Sequence, residues 1–152
     1  MGVGSPEDIV EGAARGIDIF DSALPTRVAR NGALFTWEGR RNIRNAAFSH
    51  MEQPVVPDCD CYTCRTFSAA YLHHLFKCEE LLSYRLATIH NLYFIHGLME
   101  KVRSAILDGT FPRFREEFWS RYQTTDEKVR VSQKQKWLKS KGRELDSGCS
   151  PP

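Results

Sequence analysis

At 152 residues, with 41% hydrophobic and 11% aromatic side chains, the chain has enough material for one domain with a genuine core. Lys and Arg number 21 against 19 Asp and Glu, a net charge of only +2, so bulk charge announces no polyanionic partner. No apolar run approaches the roughly 20 residues of a membrane span, and the N-terminus lacks a signal-peptide core. Five cysteines, three of them clustered, argue against a disulfide framework and for a reducing, cytoplasmic setting.

Residues 1–4 read as the end of a buried strand entering a turn. Ser5 then caps a helix with Pro6 at its first position, Glu7 and Asp8 in the first turn, and Ile9, Val10 and Ala13 as its buried stripe; Gly16 ends it. Residues 17–20 (Ile-Asp-Ile-Phe) read as a second strand, with Asp21 at its C-terminal end. Strand, helix and strand in so few residues make a right-handed βαβ unit with parallel pairing. Two parallel strands cannot stand exposed to water, so the unit is expected to be the tail of a larger α/β protein. In a closed α/β barrel a strand-end carboxylate is a place for chemistry, while the plain alternative for Asp21 is a turn-former.

Residues 24–32 read as a loop in which Arg27 and Arg30, beside Asp21, are either phosphate ligands or solvated surface. Residues 33–37 and 40–46 form the two arms of a hairpin, and Arg40, Arg41 and Arg44 give it a modest basic face.

Cys59, Cys61 and Cys64, at C-x-C-x-x-C spacing, can aim three sulfurs at one point, and zinc asks for a fourth ligand. Cys78, Cys149, His50, His73, His74, His90 and His96 are the candidates, and spacing alone leaves them open. Two helices follow. Residues 67–83 carry Tyr71, Leu72, Leu75, Phe76 and Leu82, with Cys78 a small buried thiol. Residues 86–107 show an apolar stripe of Leu86, Ile89, Tyr93, Val102 and Ile106, closed by Asp108-Gly109. A short aromatic helix over 111–122 comes next. Residues 128–143 then hold seven basic side chains and no acidic ones, expected to be a solvated tail rather than a packed element.

Taken together, Gly16-Ile17-Asp18-Ile19-Phe20-Asp21-Ser22-Ala23-Leu24-Pro25-Thr26-Arg27, Ala29-Arg30-Asn31-Gly32, Cys59-Asp60-Cys61-Tyr62-Thr63-Cys64-Arg65, Ala70-Tyr71-Leu72-His73-His74-Leu75 and Thr88-Ile89-His90-Asn91-Leu92 resemble the tRNA-guanine transglycosylase family, in its bacterial form. The resemblance runs over about residues 1–122. It implies the C-terminal part of a TIM (β/α)8 barrel, about its last two strands, bearing a zinc-binding insertion and C-terminal helices. A complete barrel takes roughly 250 residues, so this chain does not contain one. The implied division is 1–48 for the last barrel units and hairpin, 49–122 for the zinc subdomain and helices, and 123–152 for the basic tail.

By position, Asp21 matches the family's nucleophile, Gly2 a base-pocket position, and Arg27 and Arg30 RNA-contacting arginines. Cys59, Cys61, Cys64 and His90 match the four ligands of one structural zinc ion. Phe67, Tyr71 and His74 match positions of a homodimer contact. Ser22 stands where many relatives have cysteine. The implied activity is exchange of the wobble guanine of a tRNA with a GUN anticodon for a 7-deazaguanine, preQ1 or queuine, through a covalent aspartyl-ribosyl intermediate. The chain alone is expected to be inactive, its earlier barrel strands and second catalytic aspartate being absent. The competing expectation is a non-catalytic, zinc-stabilised RNA-binding or assembly module.

Overall fold

The computed structural model describes residues 2–124. Helix α1 (Pro6–Ala14) opens on a reciprocal cap: Asp8 N–H donates to Ser5 Oγ, and Ser5 N–H donates to Asp8 Oδ2, each at 3.3 Å. It ends in a Schellman turn, with Gly16 at φ +83 and the N–H groups of Gly16 and Ile17 returning to Ala13 and Gly12. Gly12 also admits the Phe20 ring, which a Cβ there would strike.

The expected strands at 1–4 and 17–20 do not form. Val3 and Asp21 meet in an isolated antiparallel bridge, and Gly2 N–H donates to Asp21 O at 2.7 Å. A parallel pair needs strands at its flanks to complete the ladder and cover its faces. None stands beside these segments among the described residues, and Val3, Ile17 and Ile19 remain 48%, 47% and 87% exposed.

The expected loop after Asp21 is a helix, α2 (Leu24–Arg30). Pro25 presets its first turn, Ser22 Oγ accepts from Leu24 N–H at 3.1 Å, and Ala23 O accepts from Arg27 N–H. Strands β1 (Ala33–Thr36) and β2 (Gly39–Asn42) then pair antiparallel, Leu34 opposite Arg41 and Phe35 opposite Arg40. A short 3-10 turn, Ala46–Phe48, leads to the cysteine loop.

The single helix expected over 67–83 is interrupted at both ends. Helix α3 (Tyr62–Thr66) stops before Phe67, because Ser68 caps α4 (Ala69–Lys77) by accepting from Tyr71 N–H. Cys78 closes α4, and Glu79 takes φ +57 so that Glu80 N–H can reach Leu75 O. Helix α5 (Leu81–Leu107) is 27 residues long, about 40 Å of axis. It begins earlier than periodicity indicated and closes as expected at Asp108-Gly109, Gly109 having φ +68. Helix α6 (Phe111–Arg121) folds back on α5, fastened to α1 by Arg115 and Trp119, which both donate to the Glu11 carboxylate.

Two apolar clusters result, and α5 serves both. Leu86 and Ala87 join Leu34, Ile43, Leu72 and Phe76 in one; Phe94, Leu98 and Val102 join Ile9, Val10, Phe35 and Phe118 in the other. Alternation along β1 sends Leu34 to the first cluster and Phe35 to the second. The buried stripe of α5 is therefore Ser83, Leu86, Ala87, His90, Asn91, Phe94, Leu98, Val102 and Ala105; the expected stripe members Tyr93 and Ile106 are exposed. A stripe counted from apolar residues alone skips the two polar residues at its centre.

The hairpin arginines form no solvated basic face. Arg40 pairs with Glu7 at 3.3 Å and lies over the Phe35 ring, Arg41 pairs with Glu38, and Arg44 lies over Phe76. Beyond α6, Gln123 N–H donates to Glu38 O, an approach that only a glycine at 39 allows.

Glu79 is exposed, and a left-handed conformation costs a non-glycine residue about 1 kcal/mol. Glu79→Gly should therefore raise the unfolding free energy by up to about that amount, read as an upward shift of the denaturant midpoint at unchanged slope.

Candidate metal centre and the Asp21 loop

Cys61 caps helix α3, its Sγ accepting from Cys64 N–H at 3.3 Å, so the two sulfurs emerge on one side of a single turn. Cys59 approaches from the loop before them. Thr63, between the two, donates from Oγ1 to Leu86 O at 2.7 Å and holds α3 against α5. One turn further along α5, His90 presents Nδ1 at 3.7 Å from Cys59 Sγ, 3.5 Å from Cys61 Sγ and 3.4 Å from Cys64 Sγ. All four ligand atoms lie within 4.8 Å of one another. For a tetrahedral zinc ion with its ordinary bond lengths, the edge from sulfur to nitrogen is about 3.6 Å, so Nδ1 already stands from each sulfur at the spacing that a shared zinc ion requires.

The electrostatics fit a cation at the centre. Hydrogen bonds from Cys59 and Cys64 hold the Cys61 thiol far below its ordinary range, while hydrogen bonding with Cys59 and Cys61 pushes Cys64 far above it. Burial alone would lower the His90 pKa, but hydrogen bonds to Cys59 and Cys61 outweigh it and bring it to about 9. Three sulfurs this close cannot all be thiolates without a compensating charge. A divalent ion supplies that charge and takes the Nδ1 lone pair of a neutral imidazole. Four protein ligands close the shell and leave no coordination position for water, so the ion is structural.

His90 Nε2 faces Phe35 O at 2.8 Å. Donation to that carbonyl fixes the tautomer with its proton on Nε2 and frees Nδ1 for the metal. The neighbouring Asn91, fully buried, accepts from Phe35 N–H at 2.9 Å and donates to Pro25 O and Ala33 O, each at 3.0 Å. Sequence reading passed over Asn91. Helical spacing was the available signal, since it sits four residues after Ala87, three before Phe94 and next to His90.

Of the competing histidines, His73 is a core residue whose ring meets Ile43 O at 2.7 Å. His74 is exposed, with its ring 3.6 Å from Cys78 Sγ. Cys78 is exposed too, correcting its expected burial: it occupies the C-cap of α4, one turn after His74 on the outward face. Phe67 and Tyr71 stack at 5.3 Å, with Tyr62 edge-on to Phe67.

Asp21, Arg27 and Arg30 are all exposed, and none of the three makes an ion pair among the described residues. Gly2 is exposed at φ +83, with nothing within 4 Å of where a Cβ would stand. Asp21 and Gly2 are thus neighbours, joined by their backbones, while Arg27 and Arg30 ride on the last turn of α2. The metal centre is linked to this loop through Phe35 and Asn91. The basic stretch at 128–143 lies outside the described residues.

Elemental analysis checks the ligand set. His90→Ala should lose the zinc and His74→Ala should keep it; the reverse result would reassign the fourth ligand. Stripping the ion with a chelator should loosen α3 first, because among the described residues its other side-chain hydrogen bonds are those of the Cys61 cap and of Thr63.

A family model described as queuine tRNA-ribosyltransferase matches residues 1–124. Among similar proteins, a queuine tRNA-ribosyltransferase of Dehalococcoides mccartyi strain BAV1 is 62% identical over 138 residues, covering 91% of this chain and 35% of the relative. One from strain 195 is 59% identical over 147 residues, 97% of this chain and 38% of the relative. One from Bacillus subtilis is 52% identical over 122 residues, 80% and 32%. The chain thus spans about a third of the length of these relatives. With a match across most of its length and a three-cysteine, one-histidine metal centre in place, the chain belongs to the queuine tRNA-ribosyltransferase family.

Proposed function

We propose that this chain supplies the C-terminal third of a tRNA-guanine transglycosylase, with Asp21 as the nucleophile. The observation that carries the reading is the family match over residues 1–124, which includes Asp21, Arg27, Arg30 and all four metal ligands. In this reading the preceding two thirds of the protein supply the rest of a TIM barrel. Its strands cover the apolar side chains of Val3, Ile17 and Ile19, which this chain by itself leaves exposed. The segments around Val3 and Asp21 then become barrel strands, and Asp21 stands at the C-terminal rim where such barrels do their chemistry.

The reaction is a double displacement. The Asp21 carboxylate attacks C1′ of the guanosine at the wobble position of a GUN anticodon, the C1′–N9 bond breaks, and guanine leaves with the bonding electrons and takes up a proton. A 7-deazaguanine, preQ1 or queuine, then attacks C1′ from the face that guanine left, loses its N9 proton, and returns the carboxylate. Two inversions restore the original configuration, as in a retaining glycosidase. Asp21 suits the first step because it is exposed and makes no ion pair among the described residues, which leaves its carboxylate open to a substrate. The open space over Gly2 leaves room for a flat base beside it. Arg27 and Arg30, exposed on one helical turn, are free to hold phosphates on either side of the flipped nucleotide. The protein works in the cytoplasm, and Phe67, Tyr71 and His74, the first two stacked on each other, form a homodimer contact.

The test uses a chimaera in which this chain replaces the last third of the Dehalococcoides mccartyi BAV1 relative. Asp21→Ala should reduce guanine exchange to background while leaving tRNA affinity largely intact, because phosphate contacts supply the affinity. Substantial exchange by that variant would remove Asp21 from the mechanism. Arg27→Ala and Arg30→Ala should each weaken tRNA binding and flatten its salt dependence by about one unit of slope. The 152-residue chain alone should bind zinc but exchange no guanine, since the walls that would position the base are missing. Turnover by the lone chain comparable to the chimaera would show that self-association rebuilds the site.

A further inference from the structure

We propose that Asn91 is a positioning residue for the transglycosylase reaction: it couples the metal centre to helix α2, and through α2 fixes where Asp21, Arg27 and Arg30 stand. The proposal rests on the function proposed above. Asn91 and His90 are consecutive at the middle of the buried stripe of α5, both all but inaccessible to solvent. His90 turns one ring nitrogen to the three sulfurs and the other to Phe35 O. Asn91 accepts from the N–H of that same Phe35 and donates its two amide hydrogens to Ala33 O on β1 and Pro25 O on α2. Both backbone polar groups of Phe35 are thereby gripped by adjacent residues of one helix, and the second grip extends to α2 across 66 residues of sequence.

Only a side-chain amide offers an acceptor and two donors in this fork, so an isosteric leucine or aspartate cannot replace it. The partners also settle its orientation, because an N–H needs the oxygen and two carbonyls need the nitrogen.

The grip on Pro25 reaches the reactive loop with little slack. Pro25 lies four residues after Asp21 and two before Arg27. Between them, Ser22 Oγ holds Leu24 N–H, while Ala23 O accepts from both Arg27 N–H and Thr26 Oγ1. A shift at Pro25 is therefore passed on to Asp21 and to both arginines. Asp21 itself has little else to hold it, being exposed and fixed by one backbone bridge to the segment at Gly2 and Val3. Misplacing a reacting group by about 1 Å can cost on the order of a hundredfold in rate.

Asn91→Asp keeps the acceptor for Phe35 N–H and withdraws the amide hydrogens from Pro25 O and Ala33 O; Asn91→Ala withdraws everything. Leu98→Ala, about two turns further along α5, serves as a control that destabilises the core while leaving the three hydrogen bonds of Asn91 in place. In the chimaera, Asn91→Asp should keep its full zinc content and lose roughly tenfold to a hundredfold in kcat for guanine exchange. Leu98→Ala, assayed where it is folded, should keep its kcat. In this chain, by hydrogen exchange without substrate, the amides of 24–30 should open faster in Asn91→Asp while those of 86–98 keep their protection. Unchanged kcat and unchanged exchange at 24–30 in the zinc-loaded variant would overturn the proposal. So would loss of zinc together with activity in both Asn91 variants, which would make Asn91 part of the metal centre, or failure of both to fold, which would make it structural only. Full exchange by Asp21→Asn would instead sink the nucleophile assignment, and the exchange at 24–30 would still decide on Asn91.

Discussion

The peptide groups of Phe35 are the point on which the rest of the described structure depends. Strand β1 has one antiparallel partner, β2, so half of its backbone bonding must be met elsewhere. Phe35 lies buried in the second apolar cluster, where an unpaired N–H or C=O would cost about 1–3 kcal/mol. His90 takes the carbonyl and Asn91 the amide. The helix thus acts as the missing strand, using side chains where a neighbouring strand would use its backbone. This requires α5 to carry two adjacent polar residues in the middle of its buried face, and each is satisfied on every side that faces the protein.

The metal centre and the hydrogen-bond clamp reinforce one another. A histidine that donates from Nε2 to a fixed carbonyl is oriented before any ion arrives, and a metal on Nδ1 in turn sharpens that donor. The cysteine loop has little apolar material of its own: Cys59 is half-buried and its neighbours Pro57, Asp58 and Asp60 are exposed. Its order comes from the four ligands, from Thr63 on the Leu86 carbonyl, and from Val55 in the first cluster. The metal therefore contributes where the hydrophobic core is thinnest, and its closed shell makes that contribution one of geometry rather than of chemistry on a substrate.

Much of this was legible in the sequence wherever local rules decide the outcome. Ser5, Pro6 and Gly16 bounded α1, and Asp108-Gly109 ended α5, because caps and left-handed turns are properties of a few consecutive residues. The cysteine spacing announced a metal knot for the same reason. Where partners decide, the reading failed. Residues 1–4 and 17–20 have strand-like side chains, but a strand is a relation between segments, and the segments that would complete a ladder are not among the described residues. Arg40 and Arg44 looked like a solvated basic face until Glu7, Phe35 and Phe76, distant in sequence, proved to be their neighbours. Asn91 escaped notice because a hydrophobic stripe is searched for with hydrophobic residues.

The arrangement also divides rigid from exposed parts in a way that suits nucleotide chemistry. The groups read as touching RNA, namely Asp21, Arg27 and Arg30, project from the periphery of the described structure. Exposure lets a nucleotide reach them, but exposure alone would leave them imprecise, since a free arginine side chain adopts many rotamers and a strand end with one bridge can sway. What limits that freedom lies one layer deeper. Pro25 and Ala29 are buried on the inner side of α2, Pro25 O is held by Asn91, and Asn91 is held in register by the helix that also carries the metal ligand His90. In the proposed function, a structural ion with a closed coordination shell can thus matter to the reaction without polarising any reacting atom. It does so by making α5 a rigid rail against which the outer helix is set, and so converts the stability of a buried coordination sphere into precision at an open surface.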